Sequence, residues 1–362
     1  MLVVGASGSG KTQDIIKNAL LQSSGSVILN DEDFTLYKQT HDALQKKGYR
    51  IKKLDLCGSQ SSCTYNPLMY AKTERDVLTI VNFILNSTTD KNATGTTEFK
   101  DAKQLLLLTC IYYVLENETN KTLLQVKDVL GRFLKMDEMS DKPGLSTGLT
   151  AEYYARFLEL DEDLRYGVII STYYHLFLFL LPETKDIVCS DDIYLDKFMG
   201  EKTVLFINAN KMDVSPSTTD LTGLLYYQMC SIAENNAIGH IPFTYNVALL
   251  LDDITCYEAI PHLAYWVGYG KEYGITVTAT LQSLEQLNCI YEATCISILE
   301  QVDKLVFLSD DFLLCFNKQL SRYLSIKYGD NFFSVLEEMK KEEMMVCIRD
   351  KDHKILQRGE RL

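Results

Sequence analysis

The sequence predicts an α/β fold in which a mostly parallel central sheet is interrupted by an inserted all-α domain. Three observations carry the prediction. Strand and helix signals alternate from Leu2 to Leu56, only helical patterns run from about Glu74 to Asp196, and strand signals return at Thr203 and recur as far as Ile348. The expected boundaries are 1–73 together with 198–362 for a discontinuous α/β body, and 74–197 for the helical insertion.

Taken in order, Leu2-Val3-Val4 reads as a short apolar strand, Gln13 to Gln22 as a helix and Ser26 to Leu29 as the next strand, a βαβ opening. A helical pattern from Tyr37 to Lys47 stops at Gly48, ahead of a strand from Arg50 to Leu56. Past Asn66-Pro67 the alternation ceases. Helices are expected at Thr73–Leu85, Phe99–Leu115, Thr122–Leu134, Glu152–Leu158 and Leu164–Leu181, with the polar stretches Ser87–Thr97 and Met136–Thr147 as exposed loops between them. Strands then follow at Thr203–Asn208, Asn246–Leu251, Ile275–Thr280 and Lys304–Leu308, with Met344–Ile348 as the last, and a helix from Asp220 to Glu234 lies among them.

Composition narrows the classes. At 362 residues the chain exceeds the usual single-domain size, which favours a two-part body. Ten cysteines are scattered without a CxxC pair, as expected of reduced thiols in the cytoplasm. The most apolar stretch, Gly167 to Leu181, is too short to span a bilayer and carries Ser171, Thr172 and His175, so it reads as a buried helix with His175 in or beside the core. A net charge of −13 opposes generic coating of DNA, which needs many Lys and Arg on phosphates, yet leaves room for a local basic channel. The densest basic cluster, Lys46, Lys47, Arg50, Lys52 and Lys53, reads as a solvated helix end.

The chemistry begins at Gly5-Ala6-Ser7-Gly8-Ser9-Gly10-Lys11-Thr12, a complete phosphate-binding loop between an apolar strand and a helix. Gly5, Gly8 and Gly10 let main-chain N–H groups, with those of Ser7 and Ser9, curl around phosphates. Lys11 reaches the β and γ phosphates, and Thr12 ligates Mg²⁺. ATP and Mg²⁺ are the cofactors this implies. The apolar strand Val247 to Leu251 ends in Asp252-Asp253; Asp252 is the metal-side carboxylate and Asp253 the group that polarises the attacking water. Gln282, at the end of a later strand, is a candidate γ-phosphate sensor, its alternative being a polar helix cap.

The ordered motifs resemble those of the coupling proteins of type IV secretion and conjugation. The phosphate loop, Val27-Ile28-Leu29-Asn30-Asp31, Gly48-Tyr49-Arg50, Tyr65-Asn66-Pro67-Leu68, Glu98 to Ala102, Asp252-Asp253, Tyr273-Gly274-Ile275 and Gln282-Ser283 with Gln286-Leu287 carry the resemblance, over nearly the whole chain. It implies a RecA-like P-loop ATPase bearing an all-α domain, assembled as a homo-hexamer around a channel at the cytoplasmic face of a bacterial membrane. It also implies single-stranded DNA, a relaxase-type protein and secretion-channel components as partners.

Three departures stand out. Asp253 occupies a position where the family usually has Glu, and Lys271 one where the family has an arginine acting across the subunit interface. Family members usually carry N-terminal membrane helices, so either an anchor was removed here or this member is soluble. The leading expectation is an ATP-driven motor with Lys11, Asp253, Gln282 and Lys271 in catalytic roles. A nucleotide-dependent docking protein with little turnover and a secretion ATPase acting on protein alone are the alternatives.

Overall fold

The computed structural model describes residues 1–57, 62–87, 96–134, 148–180, 185–209, 216–256, 259–308, 318–339, 343–349 and 353–357. Among these residues nine strands form one sheet: β1 (Leu2–Val4), β2 (Ser26–Asn30), β3 (Arg50–Asp55), β4 (Thr203–Asn208), β5 (Val247–Leu251), β6 (Ile275–Leu281), β7 (Lys304–Leu308), β8 (Glu343–Ile348) and β9 (His353–Gln357). Their spatial order is β3-β4-β2-β5-β6-β1-β7-β8-β9. The pairs β4-β2, β2-β5, β5-β6, β6-β1 and β1-β7 are parallel, whereas β7-β8 and β8-β9 are antiparallel. The mostly parallel sheet is therefore present, with one correction: Met344–Ile348 is not the last strand, because β9 pairs beyond it. The five residues His-Lys-Ile-Leu-Gln from His353 to Gln357 place their two apolar side chains side by side and so lack the alternation that reveals a strand; pairing with β8 supplies what pattern does not.

Central strands are buried along their whole length, all five residues of β2 and all six of β4, as a parallel sheet covered on both faces requires. After β1 the chain makes a wide helical turn (Lys11–Ile16) and continues as α1 (Lys17–Gln22); α2 (Thr35–Lys46) follows β2. Ile16 and Leu20 from the first, and Leu36 and Leu44 from the second, pack with Val27, Leu29, Val204, Phe206 and Leu250 of the sheet. Each such side chain contributes roughly 1.5–3 kcal/mol when fully removed from water. On the other side of β1, Val3 and Ile15 join Val306, Leu308, Met344 and Val346.

The chain divides into two compact units: Met1–Lys53 with Leu195–Asn208 and Met229–Leu362, and Leu54–Tyr194 with Ala209–Gln228. The second unit thus takes in more than the expected 74–197. It contains α3 (Glu74–Ser87), α4 (Thr97–Asn117), α5 (Leu123–Phe133), α6 (Gly148–Leu158) and α7 (Glu162–Phe179), and the first part of α8 (Pro216–Ile238). The extra pieces are held by buried polar bonds: Tyr65 Oη donates to Gln228 Oε1 at 2.5 Å, and Gln228 Nε2 donates to the Pro67 carbonyl at 2.9 Å. Every residue of α4 from Leu106 to Val114 is buried, on all faces of the helix, so α4 is the centre of this unit, with α3, α5, α6 and α7 around it. Thr96 and Thr122 accept hydrogen bonds from the main-chain N–H groups of Phe99 and Gln125, capping α4 and α5.

His175 is buried, as expected, and lies 3.1 Å from Lys103 Nζ. Its neighbours on α7 depart from the core assignment: Tyr174 is 59% and Phe177 44% exposed. With Tyr166 and Ile170, also exposed, they stand on the outward face of α7, three to four residues apart. The expected loops Ser87–Thr97 and Met136–Thr147 fall almost wholly outside the described residues.

Candidate nucleotide-binding site

The strand order brings the motifs together. Because β6 lies between β5 and β1, the ends of all three open onto one place: the phosphate loop after β1, Asp252-Asp253 after β5, and Gln282 after β6. The loop is tied down where it leaves the sheet, the Gly5 N–H donating to the Leu281 carbonyl at 3.1 Å and the Ser9 N–H to that of Ala6 at 3.2 Å. Gly8 and Gly10 have φ of 82° and 91°, left-handed values that a side chain resists. A Cβ on Gly10 would also lie 2.3 Å from Asp14 Oδ2.

Lys11 is buried and folds back onto its own loop, Nζ donating to the carbonyls of Gly5 at 2.5 Å and Ala6 at 2.8 Å. Its ammonium thereby stands inside the turn that the loop makes. Ser9 Oγ is buried there without a hydrogen-bond partner, a polar atom whose desolvation is uncompensated by the protein alone. Ser7 and Gly8 are exposed at the apex.

Three hydroxyls hold the acidic pair. Thr12 Oγ1 donates to Asp252 Oδ2 at 2.6 Å, and Thr280 Oγ1 donates to Asp252 Oδ1, also at 2.6 Å. The same Thr280 oxygen accepts the Asp253 N–H at 2.9 Å. Asp253 has a φ of 45°, a conformation costly for a residue with a side chain, and its carboxylate is held from both sides: Thr255 Oγ1 donates to Oδ1 at 2.6 Å and Gln282 Nε2 to Oδ2 at 3.2 Å. Gln282 is not the helix cap. Ser283 caps α9 (Leu284–Tyr291), accepting from the Gln286 N–H, which leaves Gln282 exposed and turned to Asp253.

Asp31, at the end of β2 beside β5, is also close enough to be felt. Burial, with a smaller push from the Asp252 charge, raises its carboxyl to about 6 against the opposing main-chain N–H groups of Leu36 and Tyr37. Lys271, by contrast, precedes β6 and so lies at the opposite end of that strand from Gln282, about 20 Å away at some 3.3 Å per residue. There it pairs with Asp303, whose other oxygen is bonded to Arg349, and the two cations hold the Asp303 carboxyl below the usual range against the opposing effect of its burial. Lys271 therefore does not meet the phosphate loop of its own chain. The basic cluster is spent locally: Lys47 bonds the Leu21 carbonyl, Arg50 pairs with Glu201, and Lys53 stands over the rings of Phe34 and Tyr37.

Sequence reasoning singled out Thr12, Asp252, Asp253 and Gln282, which the fold assembles, and missed Thr280, Thr255 and Asp31. Thr280 carries a faint signal, being the last threonine of the alternating run Thr276, Thr278, Thr280 and two residues before Gln282. These residues suit a polyphosphate with a divalent cation: left-handed glycines that turn N–H groups outward, an ammonium, an unpartnered serine hydroxyl, and a threonine beside a carboxylate. Among the described residues no group of three or more His, Cys, Asp or Glu forms a metal cage.

The chain matches the profile of the family described as type IV secretory system, conjugative DNA transfer, over residues 1–299. It belongs to that family. Solved structures show the same fold. The plasmid coupling protein TrwB in complex with the non-hydrolysable GTP analogue GDPNP aligns with a TM-score of 0.69 at 16% identity, over 100% of this chain and 85% of TrwB. TrwB in complex with ADP and Mg²⁺ aligns at 0.67 and 15%, over the same shares. VirB4 of Thermoanaerobacter pseudethanolicus aligns at 0.58 and 13%, over 99% of this chain and 89% of VirB4. A sequence search of curated proteins finds no match. The family fold is that of a RecA-like P-loop NTPase. Among the described residues, no helix is long and apolar enough to cross a membrane.

Proposed function

We propose that this family member is an ATP-dependent coupling protein that recruits single-stranded DNA with its attached relaxase-type protein and helps move them into a type IV secretion channel. The observation that carries the reading is the convergence of Thr12, Asp252, Asp253 and Gln282 on one phosphate loop. Lys11 and the N–H groups from Gly5 to Thr12 hold the ATP phosphates, with Thr12 and Asp252 on the Mg²⁺ side. Bound Mg²⁺ supplies charge stabilisation at the phosphates. Asp253 orients the attacking water, and Gln282, already bonded to it, reports whether the γ phosphate is present.

Lys271 has its place in this reading only across a subunit boundary, since its own phosphate loop is out of reach; a homo-hexamer would present it to a neighbour. The helical unit, Leu54–Tyr194 with Ala209–Gln228, is the substrate-facing domain in this reading, and the assembly works in the cytoplasm, at the membrane face. The nucleotide dock with little turnover remains the second reading, favoured by Asp253, whose carboxylate is already engaged by Thr255 and Gln282.

ATP turnover measured across protein concentration, with and without single-stranded DNA and with Lys11→Ala as blank, separates the two. The motor predicts turnover that rises with concentration and DNA and vanishes in Lys11→Ala. ATP binding without turnover under all conditions sinks the motor in favour of the dock. DNA-insensitive turnover points to a protein-only secretion ATPase.

A further inference from the structure

We propose that Thr280 is a positioning residue: its one buried hydroxyl holds the Asp252 side chain and the Asp253 main chain in register with Thr12 of the phosphate loop. This rests on the reading of the site as one for Mg²⁺-nucleotide. Thr280 has no solvent exposure, and its hydroxyl serves in both roles, donating to Asp252 Oδ1 at 2.6 Å and accepting from the Asp253 N–H at 2.9 Å. Few single atoms could do both. A hydroxyl is the smallest group that is donor and acceptor at once, and on β6 it stands between the strand that carries the acids and the strand that carries the loop.

The bond to Asp252 sets the carboxylate plane. Its two oxygens are held by hydroxyls from two different strand ends, Thr12 after β1 and Thr280 on β6. Thr12 is also the hydroxyl that a phosphate-bound cation would take as ligand through an oxygen lone pair while its proton still donates to Asp252 Oδ2, so that one oxygen would face both Thr12 and the cation's shell and the other, Oδ1, needs an anchor of its own. The Thr280 bond is then what keeps Asp252 Oδ2 aimed at the cation's shell. A carboxylate free to rotate would present that oxygen only part of the time.

The bond to Asp253 acts on its backbone. The left-handed turn there, φ 45°, is uphill for an aspartate, and the N–H clamp to Thr280 is among the contacts that hold it. The turn in turn directs the Asp253 carboxylate to Gln282, two residues beyond Thr280 on the same strand. Thr280 is therefore the shared anchor of the metal-side acid and the water-side acid. A displacement of the β6 end sensed at Gln282 reaches both through it.

The test compares Thr280→Val, which keeps shape and loses the hydroxyl, with Thr280→Ser, which keeps the hydroxyl. The primary readout is binding of a fluorescent ATP analogue with Mg²⁺ and with EDTA, and the second is steady-state ATP turnover. In Thr280→Val the affinity in EDTA should stay within about threefold of wild type, because the loop itself is intact. The tightening produced by Mg²⁺ should fall about tenfold or more, and kcat should drop at least tenfold with little change in KM; a lost buried hydrogen bond to a charged group is of that size. Thr280→Ser should recover both readouts. A double-mutant cycle covers poor folding of the valine variant. Thr280→Ala, judged folded by its affinity in EDTA, should lose the Mg²⁺ tightening as Thr280→Val does, and Thr280→Ala/Asp252→Asn should show the same Mg²⁺ dependence as Asp252→Asn alone.

An unchanged Mg²⁺ dependence in Thr280→Val overturns the assignment, as does a serine variant as impaired as the valine one, which would make Thr280 a packing residue. Wild-type protein that binds the analogue equally with and without Mg²⁺ overturns the underlying site reading instead.

Discussion

Burial of Asp31 beside the acidic pair should make the stability of the α/β unit fall as pH rises through the mildly acidic range. The side chain is 3% exposed and accepts the N–H groups of Leu36 and Tyr37, each at 2.7 Å, yet burial outweighs them and its carboxyl is pushed from 3.8 up to about 6. The folded state therefore binds this proton more tightly than the unfolded state does. Below about pH 4 the group is protonated in both and costs nothing; between about 4 and 6 the cost grows; above 6 it is complete. A shift of about two units is worth about 3 kcal/mol, of which about 2 kcal/mol accrues between pH 4.5 and 7.

The assay is urea unfolding at those two pH values, without nucleotide and with EDTA. The single tryptophan of the chain, Trp266, is buried in the same unit and provides the signal. Asp31→Asn keeps the shape but not the titration. It adds a pH-independent offset from one weakened acceptor, so the diagnostic is the change of the wild-type-minus-variant difference with pH, about 2 kcal/mol. Asp252→Asn removes a charge that raises the Asp31 carboxyl and should move the step to lower pH. Parallel pH dependences for wild type and Asp31→Asn would refute the reasoning outright.

Three further outcomes are expected. Gly10→Ala places a Cβ 2.3 Å from Asp14 Oδ2 at a φ of 91°; it should weaken ATP binding about tenfold or more by calorimetry, since the left-handed strain alone is about 1–2 kcal/mol. An alanine variant that binds as wild type would mean the loop relaxes freely. Asp253→Glu extends the carboxylate by one methylene past its present bonds to Thr255 and Gln282 and should raise kcat several-fold with unchanged nucleotide affinity, as read from stopped-time turnover; a lower kcat argues that aspartate suits this site. Ile111→Ala, at a fully buried position of α4, should destabilise the helical unit by about 2–5 kcal/mol in thermal or urea melts. A loss below 1 kcal/mol would contradict the central placing of that helix.

What local pattern encodes, the sequence already determined. The phosphate loop could be read because glycine conformational freedom and the lysine and threonine at fixed offsets are local requirements, and the apolar strands could be read because a buried parallel strand is apolar throughout. Helices α3 to α7 were visible within a few residues at each end, as consecutive helical runs with no strand alternation between them. Strand β9 was not, since its five residues carry no alternation and gain their place from pairing with β8.

Tertiary structure alone decided which strand lies next to which. The order β5-β6-β1 is a matter of long-range packing, and it places Thr280 against Asp252, residues 28 positions apart, and Thr12 against the same carboxylate from 240 positions away. Nothing in local periodicity carries such distances. The same order sent Lys271 to the far end of β6 and onto Asp303, and the burial of Asp31 raised a carboxyl that in the sequence was simply the end of a strand. Composition and pattern act over a few residues, whereas the electrostatics of a site depend on which groups the packed sheet brings within a few ångströms and on how much water it leaves there.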